Sequence, residues 1–283
     1  MSVYVSTGGF SKISADVSAQ KLVDAGCFNI ELSGGINSLN LIKNLSELKK
    51  NVQFQIHNYF PPAKKPFVIN LATQDKEIAD LTLKHIESAL NTCSKLSSSY
   101  YSFHAGFLCD VNINELGTQI KKRKLYSRET GKKLFLERVY KISKKAESLG
   151  IKLMIENNVF SAQNKINFLD NPFLMADIEE SIEIIKQTPK NVKLLIDVAH
   201  LKISSNSLNL DLVGELIKCK EYVGGYHLSE NNGLSDTNNF FNENSWFWNY
   251  LKKDLDYYSI EVYNTSIENL VKLKKLTEAM LKS

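Results

Sequence analysis

A closed (β/α)8 barrel of the α/β class is the fold that this sequence predicts, on three observations. Eight short apolar or β-branched runs alternate with segments of helical period, a pattern of parallel strands joined by right-handed crossovers. The length, 283 residues, suits eight such units. No low-complexity linker divides the chain, so residues 1–283 read as a single domain. An open doubly wound sheet is the rival, but Thr7-Gly8-Gly9 after the first run is too short to be a dinucleotide-binding fingerprint.

The elements follow in order. Residues 3–6 form the first strand. Ser14 sits where it can cap a helix through Asp24, stopped by Gly26. The second strand, 28–32 (FNIEL), precedes a helix over 39–50. The third, 52–57 (VQFQIH), leads through a Pro-Pro loop to a long helix over 74–96, with Ile78, Leu81, Ile86 and Leu90 as apolar positions. The fourth, 100–104 (YYSFH), is followed by a loop and a helix over 129–149, closed by Gly150. The fifth, 151–156 (IKLMIE), precedes a helix over 176–187 that stops near Pro189. The sixth, 192–197, ends in Asp197, and a helix is expected near 208–220. The seventh is 225–228, followed by a helix over 245–255 that packs Trp246 and Trp248. The eighth, 258–262 (YSIEV), precedes the last helix, 266–281.

Composition narrows the function classes. The net charge of +4 is too mild to imply nucleic acid by itself. No apolar run approaches the ~20 residues of a membrane helix. The first residues, Met-Ser-Val-Tyr-Val, have neither the basic start nor the apolar core of a signal peptide. The four cysteines lack metal-type spacing and read as reduced thiols. A cytoplasmic protein is the expectation, and nothing in the sequence opposes an oligomer.

The chemistry gathers where strands end. In such barrels the active site forms at the C-terminal ends of the strands. The groups there are His57, His104, Glu156, Asp197, His227 and Glu261, with His200 just past the sixth strand. Four of the chain's five histidines belong to this set, and His85, mid-helix, reads as a surface or packing residue. One strand-end histidine is usually a satisfied polar residue, and one strand-end acid is often an ion pair or a helix cap. Seven converging on one mouth are different, because clustered carboxylates repel in a partly desolvated site and a divalent cation removes that repulsion. Glu156, Asp197, His227 and Glu261 form a hard-leaning donor set suited to Mn²⁺, Mg²⁺, Co²⁺ or Zn²⁺. His57 and His104 could add a second ion beside Glu156 or bind substrate hydroxyls. One or two ions per chain are expected. The basic stretch Lys121–Lys133 reads as a solvated surface loop, with a grip on a sugar's phosphate as the alternative.

Through VSTGG, IHN, FHAG, MIENN, LIDVAH, YHLSENNG and SIEV, the chain resembles the xylose isomerase-like TIM barrel superfamily, which includes sugar phosphate isomerases and epimerases and the endonuclease IV type of DNA-repair enzyme. The epimerase branch implies a metal on Glu156, Asp197, His227 and Glu261. Glu156 and Glu261 would also be an acid/base pair acting through an enediolate, on a sugar or sugar phosphate bound partly by His200. The endonuclease branch implies three zinc ions, the third on His200 and Asp236 with a histidine two residues after the aspartate. Asn238 stands there instead, a poor zinc ligand that is left, with Asp236, as a substrate-binding candidate. The first strand also lacks that branch's histidine. The resemblance therefore implies a metal-dependent isomerase or epimerase. The alternatives are an abasic-DNA phosphodiesterase, for which nucleic acid is not the expected partner, and a catalytically silent metal-binding barrel.

Overall fold

Eight parallel strands close on themselves in sequence order. They are β1 (Val3–Ser6), β2 (Asn29–Leu32), β3 (Gln53–His57), β4 (Tyr100–His104), β5 (Lys152–Glu156), β6 (Val192–Asp197), β7 (Val223–Leu228) and β8 (Tyr258–Ile260). The computed structural model describes residues 1–282. β8 pairs back onto β1, with Val3 opposite Tyr258 and Val5 opposite Ile260.

Strand residues divide with period two, as a pleated strand requires. Val3 and Val5, Ile30 and Leu32, Phe54 and Ile56, Leu153 and Ile155, and Leu194 and Ile196 join the main core with the helices. The positions between them lie on the other face. Near the strand starts, Tyr4, Tyr100, Met154, Leu195 and Tyr257 fill a smaller apolar cluster. Further along, the same face carries Ser102 and His104 after Tyr100, Glu156 after Met154, Asp197 after Leu195 and Glu261 after Tyr257, with Glu31 and His227 on β2 and β7. The barrel is thus apolar outside, apolar at one end of its axis and ionisable at the other.

The helices are α1 (Ala15–Asp24), α2 (Leu41–Leu48), α3 (Lys76–Leu96), α4 (Arg128–Ser148), α5 (Ala162–Asn167), α6 (Ile178–Lys186), α7 (Val198–Leu208), α8 (Leu212–Lys218) and α9 (Ile267–Lys282). Side-chain caps start α3, α4 and α6: Asp75 accepts from the Ile78 N–H at 2.9 Å, Ser127 from Thr130 at 3.1 Å and Asp177 from Glu180 at 2.8 Å. Among the described residues, no helix is long and apolar enough to cross a membrane. All four cysteines are free and buried. His85 is a packing residue, buried in α3 with Nε2 3.1 Å from the Asn58 carbonyl.

Four local expectations are corrected. Residues 245–255 form turns, not a helix. The Tyr226 hydroxyl takes the Lys252 N–H at 3.2 Å and the Tyr258 hydroxyl takes that of Leu255 at 3.2 Å, so side-chain oxygens accept N–H groups that a helix would spend on its own carbonyls. Phe247 and Trp248 are nevertheless buried. The helix expected near 208–220 is the shorter α8, Leu212–Lys218, and a helix that was not expected, α7, precedes it and ends where Asn209 adopts a left-handed φ of 61°. The helix expected over 176–187 begins at Ile178, after the Asp177 cap. Ser14 occupies the cap position of α1, but its side chain makes no capping bond.

A fifth correction concerns the basic stretch, which is not a free loop. Its second half is already α4. Arg123 pairs with Glu115, Arg128 bonds both oxygens of Glu180 at 2.7 and 2.8 Å, and Lys132 reaches Glu183 at 2.7 Å.

Candidate metal centre

Asp197 shows how the local fold places a functional group. It ends β6 and caps α7 without an intervening loop, its Oδ1 accepting from the N–H groups of Ala199 and His200 at 2.7 and 2.8 Å. That leaves Oδ2 aimed into the barrel mouth. The same cap sets His200 on the first turn of α7. Its Nδ1 lies 3.1 Å from the Asn157 carbonyl and its Nε2 3.1 Å from Asp236 Oδ2.

Around this corner the other strand ends converge. Glu156, fully buried at 0% exposure, has Oε2 3.5 Å from His57 Nε2 and 3.4 Å from His104 Nδ1. Its Oε1 is 3.3 Å from His227 Nδ1 and 3.6 Å from His200 Nδ1. His227 Nδ1 also faces Glu261 Oε2 at 2.9 Å. Ligand atoms of Glu156, Asp197, His227 and Glu261 all lie within 4.8 Å of one another, as do those of His57, His104 and Glu156, and those of His57, His227 and Glu261.

Charge explains what these groups want. Burial pushes the Glu156 carboxyl up, but the imidazoles of His104, His227 and His57 outweigh it and hold the group well below the usual carboxylate range. Asp197 goes the other way. Burial, with Glu156, Glu261 and Asp236 nearby and only His200 opposing, lifts its carboxyl to about 7. His200 and His227 resist burial and are raised well above the ordinary histidine value, by Asp197 and Asp236 in one case and by Glu31, Glu156 and Glu261 in the other. His104, partly open to the cavity, is lowered to about 4 by desolvation.

Both oxygens of Glu156, Oδ2 of Asp197 and Nδ1 of His227 are buried without a hydrogen-bond partner. Buried orphans are costly, and four on facing side chains share one remedy, a cation among them. The residues present therefore fit a divalent metal.

A cavity of about 240 Å³ opens onto this cluster. His104, His200 and Asp236 border it beside Asn58, Tyr59, Phe107, Thr118, Asn158, Asn164 and Phe173, and among the described residues no lysine or arginine lines it. Asp236 thus reaches the site through His200. Asn238 does not line the cavity. It is buried in a left-handed conformation, φ 44°, and its carbonyl accepts from the Tyr263 N–H at 3.0 Å.

Three residues beside the site carry no strand-end signal. Glu31, also 0% exposed, accepts from His227 Nε2 at 2.9 Å and from the Tyr257 hydroxyl. His227, with Tyr257 and His57 behind it, outweighs burial and holds the Glu31 carboxyl down at about 2. Tyr263 donates to Glu261 Oε1 at 2.5 Å. An acid inside an otherwise apolar strand, FNIEL, was the available sign for Glu31.

The chain belongs to the xylose isomerase-like TIM barrel family, whose pattern it matches over residues 31–269. Among solved structures, a D-tagatose 3-epimerase-like protein superposes with a TM-score of 0.74 at 21% identity, over 100% of this chain and 97% of that one. A D-psicose 3-epimerase from Clostridium cellulolyticum H10, solved with D-tagatose, gives 0.67 at 14% identity, covering 100% and 97%. A protein from Thermus thermophilus, soaked with ZnCl2, gives 0.64 at 17%, covering 99% of both chains. At these identities the likeness is one of fold. No curated protein matches the sequence.

Proposed function

We propose that this protein is a divalent-metal-dependent isomerase or epimerase of an unphosphorylated ketose, with Glu156 and Glu261 as its acid/base pair. The observation that carries the reading is the orphaned donor set at the barrel mouth. Glu156, Asp197, His227 and Glu261 would hold the metal, and His57 and His104 offer a second ion a place beside Glu156. Neighbours in fold described as D-tagatose 3-epimerase-like, as D-psicose 3-epimerase and as L-ribulose 3-epimerase support the reaction class. Neighbours solved with zinc support the cofactor.

When bound, the cation polarises a substrate carbonyl and stabilises the charge of the enediolate. The residues do the rest. Glu156 and Glu261 come from β5 and from just beyond β8, so a sugar carbon held between them can lose its proton to one carboxylate and regain it from the other. Tyr263 fixes Glu261 in rotation by occupying Oε1. His200, held through both ring nitrogens by Asn157 and Asp236, forms part of the cavity wall, and the Asp236 carboxylate beside it can accept from a substrate hydroxyl. Among the described residues the cavity offers amides, hydroxyls, aromatic faces and the carboxylates of Glu115 and Asp236 but no lysine or arginine, a lining that favours an unphosphorylated sugar over its phosphate.

The nuclease reading keeps one observation in its favour, the His57–His104–Glu156 group. Against it, Asn238 stands off the cavity and, among the described residues, no lysine or arginine lines the mouth to meet a phosphodiester. Elemental analysis of the purified protein should find one or two divalent ions per chain, whereas three zinc ions would favour the nuclease. A screen over ketoses and ketose phosphates should find exchange of a carbon-bound hydrogen with solvent deuterium on a ketose. Glu156→Gln and Glu261→Gln should each abolish that exchange, and full exchange in either would end the two-carboxylate scheme.

A further inference from the structure

We propose that Glu31 is a positioning residue which, through the polarity of a buried hydrogen-bond chain, dictates which ring nitrogen both His227 and His57 present to the metal. The inference rests on the metal reading above but not on the sugar chemistry.

The chain runs under the floor of the site. Glu31 Oε2 contacts His227 Nε2 at 2.9 Å and the Tyr257 hydroxyl at close range. The Tyr257 Oη lies 3.2 Å from Ser102 Oγ, and Ser102 Oγ lies 2.9 Å from His57 Nδ1. All five residues are buried.

An ionised carboxylate only accepts, which orients both bonds made to Glu31 and biases those beyond. A neutral His227, the form able to hold a metal, must carry its one proton on Nε2, which leaves Nδ1 bare toward Glu156 and Glu261. Tyr257 spends its one proton on Glu31, so its oxygen accepts from Ser102. The Ile56 carbonyl, at 3.5 Å, is a further acceptor away from His57, whose Nδ1 at 2.9 Å could take the Ser102 proton only in the tautomer that the chain disfavours. With its proton drawn to that side, Ser102 Oγ accepts from His57. His57 therefore carries its proton on Nδ1 and turns a bare Nε2 toward Glu156, 3.5 Å away. One carboxylate thus specifies two histidines on opposite sides of the barrel. A partner outside the ligand shell that fixes a ligand's tautomer typically changes metal affinity about 10- to 100-fold.

Gly225 belongs to the same device. A Cβ there would stand 2.6 Å from Tyr257 Cδ1 and 2.9 Å from the Tyr257 carbonyl oxygen, so only glycine leaves the ring its place.

The test uses the full chain, with zinc alone as the probe. In zinc-loaded protein carrying 15N-histidine, NMR should show His227 metallated on Nδ1 and protonated on Nε2, and His57 protonated on Nδ1. Competition against a chromophoric chelator should show Glu31→Gln binding zinc about 10- to 100-fold more weakly. Tyr257→Phe cuts the chain between Glu31 and Ser102. It should leave the His227 pattern intact while His57 populates both tautomers, a split that general loosening of the core would not produce. Zinc on Nε2 of His227, a proton on Nε2 of His57, or wild-type zinc affinity with unchanged imidazole patterns in both variants would overturn the inference. If Glu31→Gln does not fold, Tyr257→Phe decides alone. Wild-type protein that binds no zinc would instead sink the metal reading itself.

Discussion

Replacing Gly8 by alanine should damage turnover far more than stability. A Cβ at position 8 would meet the Tyr263 Oη at 2.5 Å and its Cε1 and Cζ at 3.1 Å. The hydroxyl must then retreat by about an ångström to regain van der Waals distance. It cannot do so and keep its 2.5 Å bond to Glu261 Oε1. Burial and the adjoining Glu261 carboxylate push the Tyr263 phenol well above its ordinary value, so it stays a donor, and its loss frees Glu261 to rotate. A hydrogen bond to a charged group contributes about 1.5–3 kcal/mol. Spent on a carboxylate that moves a proton, that loss is a fall of roughly ten- to a hundred-fold in kcat. Tyr263 as a whole is only half-buried, so its ring can turn toward water and unfolding free energy should drop by less than about 1 kcal/mol. The assay is solvent-deuterium exchange into the ketose for Gly8→Ala, Tyr263→Phe and the double variant, beside urea unfolding. If Gly8 acts through the hydroxyl, the double variant is no worse than Tyr263→Phe. Losses that multiply, or full exchange in Gly8→Ala, would refute the reasoning. Gly34→Ala, where a Cβ meets nothing within 4 Å, is the neutral control.

Three further outcomes are expected. Gly225→Ala should lower unfolding free energy by about 1–3 kcal/mol, as overpacking does, because Tyr257 is fully enclosed; an unchanged urea midpoint would show that the ring has room. Stripping the metal with a chelator should lower Tm by about 8–15 °C relative to protein in zinc at a thousand times its Kd, and identical melting curves would mean that no ion binds the folded state. Lys121→Ala, Lys122→Ala and Lys124→Ala together should leave KM for the ketose within about twofold, since exposed charges off the cavity are screened; a large rise would restore that stretch as a phosphate grip.

Much of the architecture was legible because its signals are local. Alternation of apolar runs with helical periods marks eight βα units, and strand ends that finish in His57, His104, Glu156, Asp197, His227 and Glu261 mark one rim, whatever loops lie between. Where the reading failed, a distant partner had overridden local preference. The Tyr226 hydroxyl, 26 positions away, takes the Lys252 N–H within residues 245–255, which form turns. Glu115, Glu180 and Glu183 claim the cations that looked free.

What the chain alone determined is the inventory, a barrel whose rim gathers carboxylates and imidazoles. Only the tertiary structure decided how they are oriented. Glu31 and His227 are 196 positions apart, and no periodicity links them, since each obeys the pattern of its own strand. Barrel closure brings them to hydrogen-bonding distance, and the direction of a proton in that contact is a property of the pair. Asn238 makes the same point from the other side: its place in the chain put it among the site candidates, and a backbone bond to Tyr263 held it away.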